Sequence, residues 1–233
     1  MTYKKRLDGR AFNELRSMEA KVGVVPNACG SASFRMGKTW AIAAVYGPKE
    51  MIPRFLADPT TGVLRCHYNM MPFSGSGERI RPGSNRRSQE IALVMTKALE
   101  PVVDLSEFPN SVVDVYVELP QTDAGTRCAA ISAASMALAD AGIPMKDMVS
   151  SVAVGQVDGM VVADLNYNEE AYEEGAVSDI PVAMTHNTKA ITLLQMDGEI
   201  SKEDLLKALE LAREVTEQIY ELQKKALKEK FPK

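Results

Sequence analysis

The sequence predicts an α+β fold made of two sheet-and-helix halves. Three observations carry that expectation. Strand-like runs crowd the first part of the chain, ahead of any helical pattern. A strand, a turn containing Gly125 and an Ala-rich helix sit at its middle. Two hairpin-like strand pairs and a long amphipathic run close it. The order strands, helix, strand, helix, hairpins, helix keeps like elements together, which separates it from a βαβα alternation. No linker-like stretch divides the halves, so residues 1–233 are expected to form a single domain.

The elements follow in order. Short apolar runs at Ser17–Val25, Gly30–Met36 and Thr39–Tyr46 are separated by the turn signals Pro26-Asn27 and Gly37-Lys38, the pattern of an antiparallel meander. The third run is apolar on both parities, as an inner strand requires. After a Pro-punctuated connection, Gly47–Thr61, Val63–Met71 reads as another strand. Phe73–Asn85 is Gly- and Pro-rich and loop-like. Ser88–Leu99 has helical spacing and stops before Pro101. Ser111–Leu119 alternates as a strand, and Cys128–Ala141 is helical, closed by Gly142 and Pro144. Met148–Gln156 and Met160–Leu165 flank Asp158-Gly159, a hairpin signal. Tyr167–Gly175 reads as an acidic loop. Ile180–Thr185 and Ala190–Gln195 form a second pair. Ser201-x-x-Asp204 resembles a capping box and opens a helix with Leu205, Leu209, Ala212, Val215, Ile219 and Leu222 on one face.

Composition narrows the function classes. Hydrophobic residues make up 45% and charged residues 25%, typical of a globular core-forming chain. The net charge of -4, from 27 Lys+Arg against 31 Asp+Glu, shows no overall basic bias, so any polyanion site must be a local cluster of arginine. Cys29, Cys66 and Cys128 are too few and too scattered for a disulfide framework, and with only His67 and His186 they make no zinc motif. The charged segment Met1–Arg10 lacks the apolar core of a secretory signal, and no run reaches membrane-spanning length. A cytoplasmic protein without membrane partners is the expectation.

Two constellations can carry chemistry. The stretch Asp123-Ala124-Gly125-Thr126-Arg127 joins strand to helix, where free backbone N–H groups, a hydroxyl and a guanidinium converge on an anion. The same residues also fit a plain helix cap with Arg127 paired to an acid. Arg79, Arg81, Arg86 and Arg87 form a basic segment without an intervening acid, and Arg65 sits upstream beside Tyr68, a possible stacking surface. Such a run is equally a solvated surface loop. Arg86 and Arg87 lie at a helix start, where cations are unfavourable for the helix, a small conflict that points to function. Among the acids Glu169, Glu170, Glu173, Glu174 and Asp179, most read as solvated loop residues. Asp179 stands just before the apolar run Ile180–Met184, where a carboxylate can act as a general acid or hold a metal. Cys128 reads as a small buried hydrophobe.

Taken together, several motifs resemble the RNase PH family of phosphorolytic exoribonucleases, and within it the catalytic subunits of archaeal exosomes. They are Arg6-Leu7-Asp8-Gly9-Arg10, Gly30-Ser31-Ala32, Tyr46-Gly47-Pro48-Lys49-Glu50, Arg86-Arg87-Ser88-x-Glu90-Ile91, Asp123-Ala124-Gly125-Thr126-Arg127 and Asp140-Ala141-Gly142-Ile143-Pro144-Met145, and they run in order along nearly the whole chain. The resemblance implies an RNase PH-like fold. It assigns Gly125, Thr126, Arg127 and Arg87 to inorganic phosphate, Asp179 to catalysis, and Arg65, Tyr68 and Arg86 to the RNA 3′ end. Cys29 departs from the usual family aspartate.

The activity so implied is 3′-to-5′ phosphorolysis of single-stranded RNA to nucleoside diphosphates, reversible, with phosphate as co-substrate and Mg²⁺ as a possible helper. The partners implied are a related inactive subunit in a hetero-hexameric ring and RNA-binding cap subunits. A catalytically silent scaffold subunit and a homohexameric tRNA-trimming RNase PH are the alternatives. A small-molecule nucleoside phosphorylase fits the arginine cluster less well.

Overall fold

The structure, a computed structural model, describes residues 3–76, 81 and 83–231. Arg79 of the basic segment lies outside the described residues. The first sheet is built from β1 (Met18–Val22), β2 (Gly30–Met36), β3 (Thr39–Glu50), β4 (Val63–Met70) and β5 (Ser111–Gln121). Their order is β1-β2-β3-β5-β4, antiparallel except for the parallel pair β4 and β5. The second sheet holds β6 (Val149–Val157), β7 (Met160–Ala163), β8 (Val177–Thr185), β9 (Ile191–Leu194) and β10 (Asp197–Gly198). Here β6 pairs with one edge of β8, while β9 and β10 pair with its other edge.

Helix α2 (Thr126–Asp140) contacts strands of both sheets. Its run of Ala129, Ala130, Ala133, Ala134 and Ala137 is buried on every side. A helix without a polar face belongs in a core, and small side chains let strands approach it closely. Ser132 and Ser135 accept the β6 N–H groups of Ser151 and Val149. One continuous hydrophobic cluster, drawn from both sheets, closes around α2. Helix α1 (Arg86–Leu99) packs beside β4, and α4 (Lys202–Lys230) lies against β6, β7 and β1.

Several expectations shift. Helix α1 begins at Arg86, because Asn85 and Ser88 form a reciprocal capping box. The acidic loop contains a short helix, α3 (Tyr167–Glu170), capped by Asn166. Its Glu169 is fully buried against Arg6, which corrects the reading of this residue as solvated. Strand β8 begins at Val177 and not at Ile180, since Val177 and Ser178 pair with the far end of β6. Asp179 therefore lies inside the strand, opposite Gly155 on one side and Asp197 on the other.

Candidate active site

The turn between β5 and α2 is held from three directions. Thr39 on β3 donates to the Ala124 carbonyl at 2.7 Å and accepts the Asp123 N–H. Arg16 reaches the Ala124 carbonyl and the Asp123 carboxylate, while its other contacts anchor it on buried Asp164 at 2.6 Å. The Tyr167 N–H donates to Asp123 from α3. Gly125 is the N-cap of α2 with φ 67°, a left-handed conformation that a residue with a Cβ adopts at a cost. No side chain caps this helix, so the reading of Thr126 as a plain cap does not hold. The N–H groups of Thr126 and Arg127 have no intrahelical acceptor, as at any helix start. They lie at the positive end of α2.

Arg127 is aimed by a second network. Its Nη1 donates to Gln195 Oε1, and Glu90 of α1 lies 3.9 Å away. Gln195 in turn donates to Glu90 at 3.4 Å. Glu90 stood in one of the family motifs without a role, and Gln195 only closed a strand-like run, because their contact with Arg127 joins segments far apart in the chain. Arg86 and Arg87 are exposed in the first turn of α1 and make no ion pair among the described residues. Arg87 and Tyr68 line one small cavity of about 140 Å³.

Asp179 faces a separate cavity of about 400 Å³, together with Tyr167, Glu170, Val177 and Asp197. Its Oδ1 is buried without a hydrogen-bond partner among the described residues. Burial pushes its pKa up to about 6, the Arg127 charge opposes that shift, and Asp197 adds to it. Glu170 is raised to about 7, by burial first and then by Asp179, against the pull of Arg16. A carboxyl whose pKa is raised toward neutrality and on which the Arg127 charge acts has the tuning expected of a general acid. Burial raises both Cys66 and Cys128 thiols to about 12, in keeping with Cys128 as a core residue. Among the described residues no three His, Cys, Asp or Glu side chains converge to hold a metal.

The structure does not gather every expected residue. Arg65 and Tyr68 differ by three positions on β4, so their side chains leave opposite faces of the strand. Arg65 lies on the outer face, bound to Asp114 at 2.6 and 3.0 Å. With Lys49 and His67 beside it, Asp114 falls to about 2: burial opposes this, and the Arg65 and Lys49 hydrogen bonds outweigh burial. Tyr68 lies on the inner face with 5% exposure, so the ring faces needed to stack a base are covered in this chain. Only its hydroxyl reaches toward Thr126.

Residues 14–144 match the model of the 3′ exoribonuclease family, domain 1 (RNase PH), and residues 147–215 match domain 2 of the same family. The chain belongs to the RNase PH family of 3′ exoribonucleases. Its likeness extends to proteins named exosome complex component Rrp41. That of Thermococcus gammatolerans is 51% identical over 229 residues, covering 98% of this chain and 90% of the relative. That of Pyrobaculum calidifontis is 49% identical over 226 residues, covering 97% and 91%. Among solved structures, rice Rrp46 superposes with a TM-score of 0.84 at 24% identity, covering 96% of this chain and 100% of that one. An Archaeoglobus fulgidus exosome with RNA bound to the active site gives 0.79 at 22%, covering 94% and 92%. These two likenesses establish the RNase PH fold. Among the described residues, no helix is long and apolar enough to cross a membrane.

Proposed function

We propose that this chain is a phosphate-dependent 3′-to-5′ exoribonuclease subunit acting on single-stranded RNA in the cytoplasm. The observation that carries the reading is the position of Asp179, a buried carboxyl raised to about 6, next to Arg127 of the helix-start turn. Inorganic phosphate occupies that turn, held by Arg87, Gly125, Thr126 and Arg127. A phosphate oxygen attacks the phosphorus of the last phosphodiester. The bond from that phosphorus to the 3′ oxygen of the preceding ribose breaks. The products are a nucleoside diphosphate and an RNA one residue shorter.

Two anions must meet, so positioning and charge neutralisation supply most of the catalysis. The departing 3′ oxygen takes its proton from Asp179, whose burial raises its pKa to about 6 and so keeps part of it protonated well above the ordinary carboxylate range. The orphaned Oδ1 of Asp179 also suits one ligand of a Mg²⁺ whose remaining ligands are substrate phosphates, where the ion would neutralise charge between them. The RNA chain upstream of the scissile bond lies along exposed Arg86, with Arg65 available once it exchanges Asp114 for an RNA phosphate.

The relatives' names support membership of an exosome, and the reading extends this to a ring with a related, inactive subunit and RNA-binding caps. The test of the activity is incubation with single-stranded RNA, with and without phosphate, followed by product identification. Phosphate-dependent release of nucleoside diphosphates is the expected result. Release of monophosphates overturns phosphorolysis, and no reaction with the complete ring makes the chain a silent scaffold.

A further inference from the structure

Tyr68 shares the inner face of β4 with Leu64 and Cys66. Its hydroxyl is buried, meets no partner within hydrogen-bond geometry among the described residues, and has only the Thr126 side chain close enough for a loose contact. A buried donor left unpaired costs about 1–3 kcal/mol, and native structures carry few of them. Its neighbours are informative. The Thr126 side chain lies beside the phenol, and the positive charges of Arg87 and Arg127 both act on it. Arg87 lines the same cavity of about 140 Å³, with Asn85 and Ser88 of the α1 capping box. The Arg87 guanidinium, the start of α1 and the Tyr68 side chain thus line one small space, with Thr126 of the α2 start beside the phenol, an arrangement suited to a small oxyanion.

We propose that the Tyr68 hydroxyl is a ligand of inorganic phosphate, donating a hydrogen bond to the anion held by Arg87, Thr126 and Arg127. The proposal rests on the phosphate-dependent reading above and adds a donor to that site. It gives Tyr68 a role through its oxygen and leaves the covered ring faces to packing. A neutral donor fixed in the core needs no rearrangement when the anion arrives, and that is how preorganised sites gain most.

Tyr68→Phe keeps the ring and deletes one oxygen. The KM for phosphate in RNA degradation should rise about 10–100-fold, as loss of a hydrogen bond to a charged group predicts. The KM for single-stranded RNA should not change. Calorimetric titration with inorganic phosphate alone should show the same loss. The melting temperature without phosphate should hold or rise, since an unpaired hydroxyl has left the core, and the increase produced by phosphate should shrink. Phosphate affinity equal to the parent's overturns the proposal, as does a loss confined to RNA affinity. A parent that binds phosphate through Tyr68 but releases no nucleoside diphosphates keeps this inference and removes the phosphorolytic reading. Diphosphate release with unaltered phosphate affinity in Tyr68→Phe does the reverse.

Discussion

Asp179 holds its carboxyl near pKa 6 against an ordinary value of 3.8, with burial as the main cause. The folded state therefore binds the proton more tightly than the unfolded chain does. Stability is fully present below about pH 4 and declines as pH rises through about 6. Asp179→Asn removes the titrating group. Its unfolding free energy at pH 8 should exceed the parent's by on the order of 1–3 kcal/mol, and the two should converge at pH 4. Turnover should fall about 10²–10⁴-fold if the proton donor is lost, and the parent rate should decline above pH 6 as the acid empties. Denaturation at two pH values and a pH–rate profile check both. A variant that shortens RNA at the parent rate would remove Asp179 from the chemistry. The two arginines separate by ligand. Arg127→Ala should raise the phosphate requirement strongly with little effect on RNA affinity. Arg86→Ala should weaken RNA binding and flatten its salt dependence, measured as the slope of affinity against salt.

At the scale of elements, the β5–α2 turn depends on Gly125. A Cβ at its φ of 67° is strained and would stand 3.3 Å from the Arg16 guanidinium that braces the turn. Gly125→Ala should cost about 1 kcal/mol of stability. Its phosphate affinity should fall much further, because the first-turn N–H groups and Arg127 move with the turn. Chemical denaturation beside phosphate titration distinguishes a local loss from global unfolding. Equal, small losses in both would show that the turn is only structural. Most strands and helices were legible from alternation and helical spacing. The start of β8, the strand β10 and the helix α3 were not. Each is fixed by partners distant in sequence, such as Val157 for Val177 and Arg6 for Glu169.

For the whole molecule, the proposed ring implies an incomplete RNA path on an isolated chain. The isolated protein should bind long RNA poorly, and mixing with the related subunit should raise degradation sharply, as followed by product release and sedimentation. Full processive activity from a monodisperse monomer would exclude that dependence. Backbone contacts and charge carry little base information, so degradation should be nearly independent of sequence and should stall at duplexes whose 3′ ends cannot enter. A hairpin substrate with a 3′ tail gives the measurement, with the length of the protected product marking where the duplex stops entry.

The family, the α+β order and the strand, glycine and helix-start turn at Gly125 were legible in the chain alone. Such motifs are local: a strand, a glycine and a helix start need only neighbouring residues to form. Asp179 was also visible as a candidate acid, but its protonation was not, because pKa depends on burial among Glu170, Asp197 and Arg127. The fold had to settle which of the nearby residues Arg65 and Tyr68 lies toward Thr126 and Arg87. Strand alternation sends one to the half-buried ion pair with buried Asp114 and the other into the core, and the packing of α1 and α2 then fixes what its hydroxyl meets. Glu170, Gln195 and Arg16 joined the site only through the folded chain, since the contacts that give them a role close loops of many residues.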